Sequence, residues 1–164
     1  MKTLAIAVVL SLGFLVNASA QTAASATANH NVTVALTNAI ELTFTAGGTG
    51  ATLTFATPDD YTNGVVAAGA ATLQVRSNKA YTVAVKAAAA NFTSTSTTTM
   101  PVAGVLSVKK STDANYVGIT ASDAALTTGA RGTASFNVDY KATPGFAYDG
   151  GSYVANIVYT ATQQ

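Results

Sequence analysis

The sequence has no cysteine and no tryptophan, a single histidine, three prolines, and only 9% charged residues in 164. Each shortage excludes something. Without cysteine there is no disulfide staple, no thiol nucleophile, no cysteine-ligated zinc and no iron–sulfur cluster. The lone histidine, His30, borders a stretch of small residues, where it reads as a solvated side chain. A Ser-His-Asp relay would need that imidazole held firmly by a carboxylate. Carboxylates number seven: Glu41, Asp59, Asp60, Asp113, Asp123, Asp139 and Asp149. Sugar hydrolysis needs two of them facing each other across a cleft. Glu41 and Asp139 fall on outward strand positions and the others in loops, so the chain is expected not to be an enzyme and to carry no cofactor. Asp59-Asp60 and Asp149-Gly150-Gly151 offer the oxygens that calcium takes, but no spaced D-x-D-x-D-G loop occurs, and they read as turn residues. Lys109-Lys110 is too short for a nucleic-acid patch.

What is present begins at the N-terminus. Lys2 supplies a short positive region, an apolar run extends from Leu4 to Val16, and Ala18-Ser19-Ala20 has the small-x-small spacing of a cleavage site. This is the pattern of a secretory signal peptide over 1–20, cleaved after Ala20, and it implies a secreted or cell-surface protein. The run is shorter than the roughly 20 residues that span a bilayer, and no later stretch is long and apolar enough to be transmembrane. Once Lys2 is removed, seven basic and seven acidic side chains remain. A near-neutral chain is not steered towards nucleic acid or acidic membranes, and it lacks a barrier to self-association.

Hydrophobic residues make up 49% of the chain, with much alanine and with abundant valine and threonine, which suit a pleated, half-buried surface. Residues 21–30 read as a flexible leader. From Asn31 strict alternation begins: Val32, Val34 and Leu36 on one side, Thr33, Ala35 and Thr37 on the other, the mark of a strand with one buried face. Ile40, Leu42 and Phe44 continue the pattern, and Leu53 and Phe55 mark a third strand ended by Pro58-Asp59-Asp60. Ala71–Arg76 and Lys79–Ala87, joined by Ser77-Asn78, read as a hairpin. Further strands are expected over Val105–Lys110, Tyr116–Thr120, Arg131–Ala142 and Ser152–Thr162, with Ala121–Gly129 ambiguous between a helical turn and a loop. Val32–Thr45 and Lys79–Ala87 are the expected central strands. About nine short strands, turn signals every 8–12 residues and no convincing amphipathic helix predict an all-β, antiparallel two-sheet sandwich over 31–164. An outer-membrane barrel is the rival, but it calls for aromatic girdles, and aromatics are 8% here.

Several blocks carry a resemblance: Val75-Arg76-Ser77-Asn78-Lys79, Met100 to Leu106, Tyr140 to Tyr148 and Ile157 to Thr162. In these the chain resembles small secreted proteins of Bacteroidota that are similar to fimbrial-subunit-like and WxL-like surface domains. The resemblance covers most of the chain after residue 20. It implies an immunoglobulin-like sandwich at the cell surface or in an extracellular matrix, and it implies no catalytic residue. Gly151 stands where chaperone–usher pilins carry a glycine about fourteen residues from the end, and Gln163 stands where they carry a tyrosine.

Two functions emerge as expectations. The first is a structural or adhesive surface protein, a filament, fimbrial or matrix subunit that assembles by strand addition, with Val32, Val34 and Leu36 on the donated strand and with other copies or other surface proteins as partners. The second is a monomeric glycan- or cell-wall-binding module using Phe146, Tyr148 and Tyr153, which bracket a Gly-rich turn, and Tyr61, which sits in another.

Overall fold

The structure, a computed structural model, describes residues 24–164. The expected signal peptide and the first residues of the leader lie outside the described residues. The chain divides into two units, Met1–Ala35 and Leu36–Gln164. In the first, residues 24–35 have neither helix nor strand and their side chains are exposed.

The second unit is all β except for one short helix. Its elements are β1 (Ile40–Ala46), α1 (Pro58–Asn63), β2 (Val65–Ser77), β3 (Tyr81–Ala87), β4 (Thr93–Ser94), β5 (Leu106–Lys110), β6 (Val117–Gly118), β7 (Ala124–Gly129), β8 (Gly132–Ala142), β9 (Tyr153–Val154) and β10 (Ile157–Gln163). A five-stranded sheet runs β1-β2-β8-β5-β6, a three-stranded sheet runs β10-β3-β7, and β4 pairs with β9. Every pairing is antiparallel.

Period two explains the core. Ala71, Leu73 and Val75 of β2, Leu106 and Val108 of β5, and Phe136, Val138 and Ala142 of β8 come from the larger sheet. Tyr81, Val83, Val85 and Ala87 of β3 and Leu126 of β7 come from the smaller one, and all belong to a single buried cluster. Each large aliphatic side chain fully buried there contributes roughly 1.5–3 kcal/mol, which offsets the lack of disulfides.

The expected hairpin does not form. β2 pairs with β1 and β8, and β3 pairs with β10 and β7. The connection at 78–80 is a corner between sheets. Both strands bury one apolar face, and they satisfy that need by contributing to the same core from different sheets. Alternation specifies the buried face, not the neighbour. Nor is Val32–Thr45 central: β1 is an edge strand that starts only at Ile40, whereas β3 does lie centrally in its sheet.

Residues 31–37 form no strand. Leu53 and Phe55 pack partly buried against the core without entering a ladder. Immediately after them the chain turns out of extended form. Pro58 opens α1, and the Asp60 carboxylate accepts the Thr57 N–H (2.8 Å) and the Ala56 N–H (2.9 Å). These bonds secure the helix start and hold the Asp60 carboxyl below its usual range. The ambiguous stretch contains β7. The expected last strand is split into β9 and β10, and the expected Tyr116–Thr120 strand is reduced to two residues. β2 is longer than expected, with its register broken between Ala67 and Ala71 by a bulge that contains Gly69.

Candidate functional site

The described residues bring forward an exposed apolar triplet, a cavity of mixed lining and one buried polar cluster. The first surface is the alternating triplet. Val32, Val34 and Leu36 are 77%, 75% and 85% exposed. No strand pairing among the described residues includes them. A single exposed aliphatic is ordinary, but three at alternate positions share one side of the chain wherever it is extended, and such a stripe is normally covered.

The second surface is a cavity of about 1310 Å³ in the β unit, lined among others by Leu53, Phe55, Met100, Leu106, Tyr140 and Ile157. Its position follows from the two sheet edges. β1 and β10 end their respective sheets, and they meet at one end. There Gln163 Nε2 donates to the Ala39 carbonyl (2.8 Å) and to Asn78 Oδ1 (2.9 Å). Asn78 in turn accepts the Ala39 N–H (3.0 Å) and donates to the Thr37 carbonyl (2.7 Å). Midway, Phe44 packs edge-on against Tyr159 with ring centroids 5.9 Å apart. Beside that contact, Phe44 of β1 and Ile157 of β10 both line the cavity. The Gly47–Gly50 turn and residues 51–55 form one wall, and residues 148–157 form much of the other.

The Tyr140 and Tyr159 hydroxyls lie 2.7 Å apart at this level. Burial raises both above the usual phenol range, Tyr159 further than Tyr140. Of a hydroxyl pair, one donates to the other, and the acceptor keeps its own hydrogen to offer.

The four aromatic residues expected as a ligand surface are divided. Tyr61 stacks on Phe146 with centroids 5.3 Å apart and planes at 21°, and Phe55 packs on Tyr61 at 5.3 Å. Tyr153 instead packs edge-on against Phe92, and its hydroxyl donates to the Asp149 carbonyl (2.9 Å). Tyr61, Tyr148 and Tyr153 line the cavity, and Phe146 is 70% exposed.

Asp139 corrects an expectation. Alternation makes it an outward position, yet it is buried. It does point away from the apolar side of β8, but the β2 bulge and the residues after β5 cover it. Its Oδ1 accepts the Gly69 N–H (2.8 Å) and the Ser111 hydroxyl (2.6 Å), and Lys109 Nζ lies 3.7 Å from Oδ2. These bonds, the Gly69 one foremost, hold the carboxyl below its usual range. Lys109 also sits 5.2 Å above the Tyr116 ring. The cluster is closed on itself and presents no open acid or base.

Among the described residues no three His, Cys, Asp or Glu side chains gather as a metal site, and no helix is long and apolar enough to cross a membrane. Asp149, whose carboxylate would suit calcium, accepts hydrogen bonds from Thr97 and Thr98. No protein-family model matches the chain, and no curated protein matches it.

Proposed function

We propose that the protein is a non-enzymatic structural subunit of an extracellular or cell-surface assembly, exported by its N-terminal signal and built on an immunoglobulin-like sandwich. It joins copies of itself by strand addition, and Val32, Val34 and Leu36 lie on the donated strand. The observation that carries this reading is the exposed, unpaired alternation of those three side chains.

Magnitudes favour strand addition over loose apolar docking. Burying three aliphatic side chains contributes roughly 5–9 kcal/mol in total, and association alone costs an estimated 4–15 kcal/mol. Side-chain burial therefore only breaks even. A ladder of backbone hydrogen bonds, each adding about 1 kcal/mol net, brings the balance into the range of a stable joint. The near-neutral net charge supports the same reading, because like-charge repulsion between copies is small.

Electron microscopy and sedimentation of the purified chain test it. The chain should form ordered polymers, and a Val32→Ser, Val34→Ser, Leu36→Ser variant should stay monomeric with an unchanged Tm. A wild-type chain that remains monomeric at high concentration would sink the proposal.

The stacked Tyr61–Phe146 pair with its exposed Phe146 face favours a second reading, a monomer that binds surface glycans. Glycan-array binding lost on Phe146→Ala, with the chain monomeric throughout, would select it.

A further inference from the structure

We infer that the cavity of the β unit binds an uncharged sugar chain, which enters it along the rings of Phe146, Tyr61 and Phe55. The inference rests on the glycan-binding reading and adds to it the place and the charge of the ligand.

The lining offers the two kinds of group that a sugar needs. Aromatic rings suit the apolar faces of sugar rings. Phe55 packs on Tyr61 and Tyr61 stacks on Phe146; Phe55 and Tyr61 line the cavity, while Phe146 is 70% exposed. The three rings therefore form a track from the surface to the cavity wall. A second pair, Phe92 and Tyr153, also lines the cavity. The backbone supplies the polar partners. Residues 51–55 line the cavity and belong to no strand, and among the described residues none of their N–H or C=O groups makes a backbone hydrogen bond. Gly150 and Gly151 line it too, with no side chain to shield their backbone. Such groups need partners, and a hydroxyl both donates and accepts.

That polar backbone decides against a lipid. An acyl tail would strip water from these N–H and C=O groups without replacing its hydrogen bonds, and each group would then carry its full desolvation penalty. A sugar replaces the water with its own hydroxyls.

The charge of the lining sets the charge of the ligand. Among the described residues no Lys, Arg or His lines the cavity, and its one carboxylate, Asp149, is already hydrogen-bonded by Thr97 and Thr98. A uronic acid, a sulfate or a phosphate would find no cation there and would meet Asp149. Size sets the length. The volume of about 1310 Å³ exceeds the roughly 300–1,000 Å³ that encloses a drug-sized molecule, so several linked rings fill it better than one.

Gly150 allows a test that spares the fold. A Cβ there meets nothing within 4 Å, and the same holds at Gly118 on β6, which does not line the cavity. Isothermal titration calorimetry compares the purified chain with Gly150→Leu and Gly118→Leu, and Tm is measured for each. Ser152→Leu, exposed and also lining the cavity, repeats the block from a second position. The probes are neutral oligosaccharides of the cello, xylo and manno series, an oligogalacturonate of matched length, and octanol. A neutral series should bind the wild type and Gly118→Leu alike. The oligogalacturonate should bind about tenfold or more weakly, and Gly150→Leu should lose about tenfold or more in affinity for the neutral series. Binding that survives both blocks but disappears with Phe146→Ala would put the sugar outside the cavity and leave the glycan reading standing. A preference for the oligogalacturonate would overturn the neutral assignment, and octanol bound in place of every sugar would overturn the ligand class. No binding of any glycan, among these probes or on an array, would overturn the cavity and the glycan reading together.

Discussion

The hydroxyl of Tyr140 on β8 meets that of Tyr159 on β10 at 2.7 Å, and the two strands belong to different sheets. The pair is therefore a polar tie between the two sheets, a second one beside the Gln163 bond to Ser77 Oγ (3.0 Å). Either Tyr→Phe change should cost about 0.5–1.5 kcal/mol, measured by urea unfolding at neutral pH. Both folded hydroxyls titrate above the unfolded value. Their stabilisation is complete below about pH 10 and is lost as pH rises beyond it. The double Phe variant should show a shallower loss of stability between about pH 9.5 and 11.5 than the wild type, and parallel curves would contradict the assignment.

Asp139 sets the behaviour at the other end of the pH scale. Its folded carboxyl titrates below the unfolded value, so its contribution is present above about pH 4 and disappears as pH falls through the folded value. Asp139→Asn should lower stability by about 1.5–3 kcal/mol at pH 7 and by much less at about pH 2.5. Equal losses at the two pH values, read from chemical denaturation, would show that the charge is not what matters.

The Arg76–Glu41 pair joins β1 and β2 on the surface, where its side chains are 60% and 45% exposed. Exposed pairs contribute little. Glu41→Ala should change stability by less than about 1 kcal/mol, and the remaining difference should vanish in roughly 0.5 M salt. A loss as large as that of Asp139→Asn would mean that this edge strand depends on the pair.

Gly47 opens the turn at the wall of the cavity with φ of 68°, and a Cβ there would lie 2.1 Å from the Ala70 carbonyl oxygen. Gly104 has φ of 78° and open space around it. Gly104→Ala should cost only the backbone strain, about 1–2 kcal/mol. Gly47→Ala adds a clash with backbone that cannot turn aside, and a further cost of about 1–3 kcal/mol is expected. Differential scanning calorimetry of the two variants compares them directly.

The class of fold was legible because period two is a local property. Val83 and Val85, or Phe136 and Val138, announce a strand and its buried face without reference to anything else. Partners were not legible. Leu73 and Val75 look ready to pair with Val83 and Val85, and only the competing ladders with β8 and β10, both far along the chain, decide otherwise. The burial of Asp139 was hidden for the same reason: an outward strand position is exposed unless a distant segment covers it, and Gly69 lies 70 residues away. Of the candidate residues, the triplet at Val32, Val34 and Leu36 was visible as a pattern; that no strand pairing among the described residues includes it was not. The cavity left no local signal at all, because its walls are a turn and irregular chain whose apolar residues, Leu53 and Phe55 among them, are spaced like those of a strand.

The position of β10 has a consequence in time. It pairs along its whole length with β3, while Gln163, 124 residues along the chain from Ala39, ties Ala39 to Asn78. Pairings this distant in sequence close slowly. The smaller sheet therefore gains its third strand, and the first strand its lock, late in folding, after the local turns have formed.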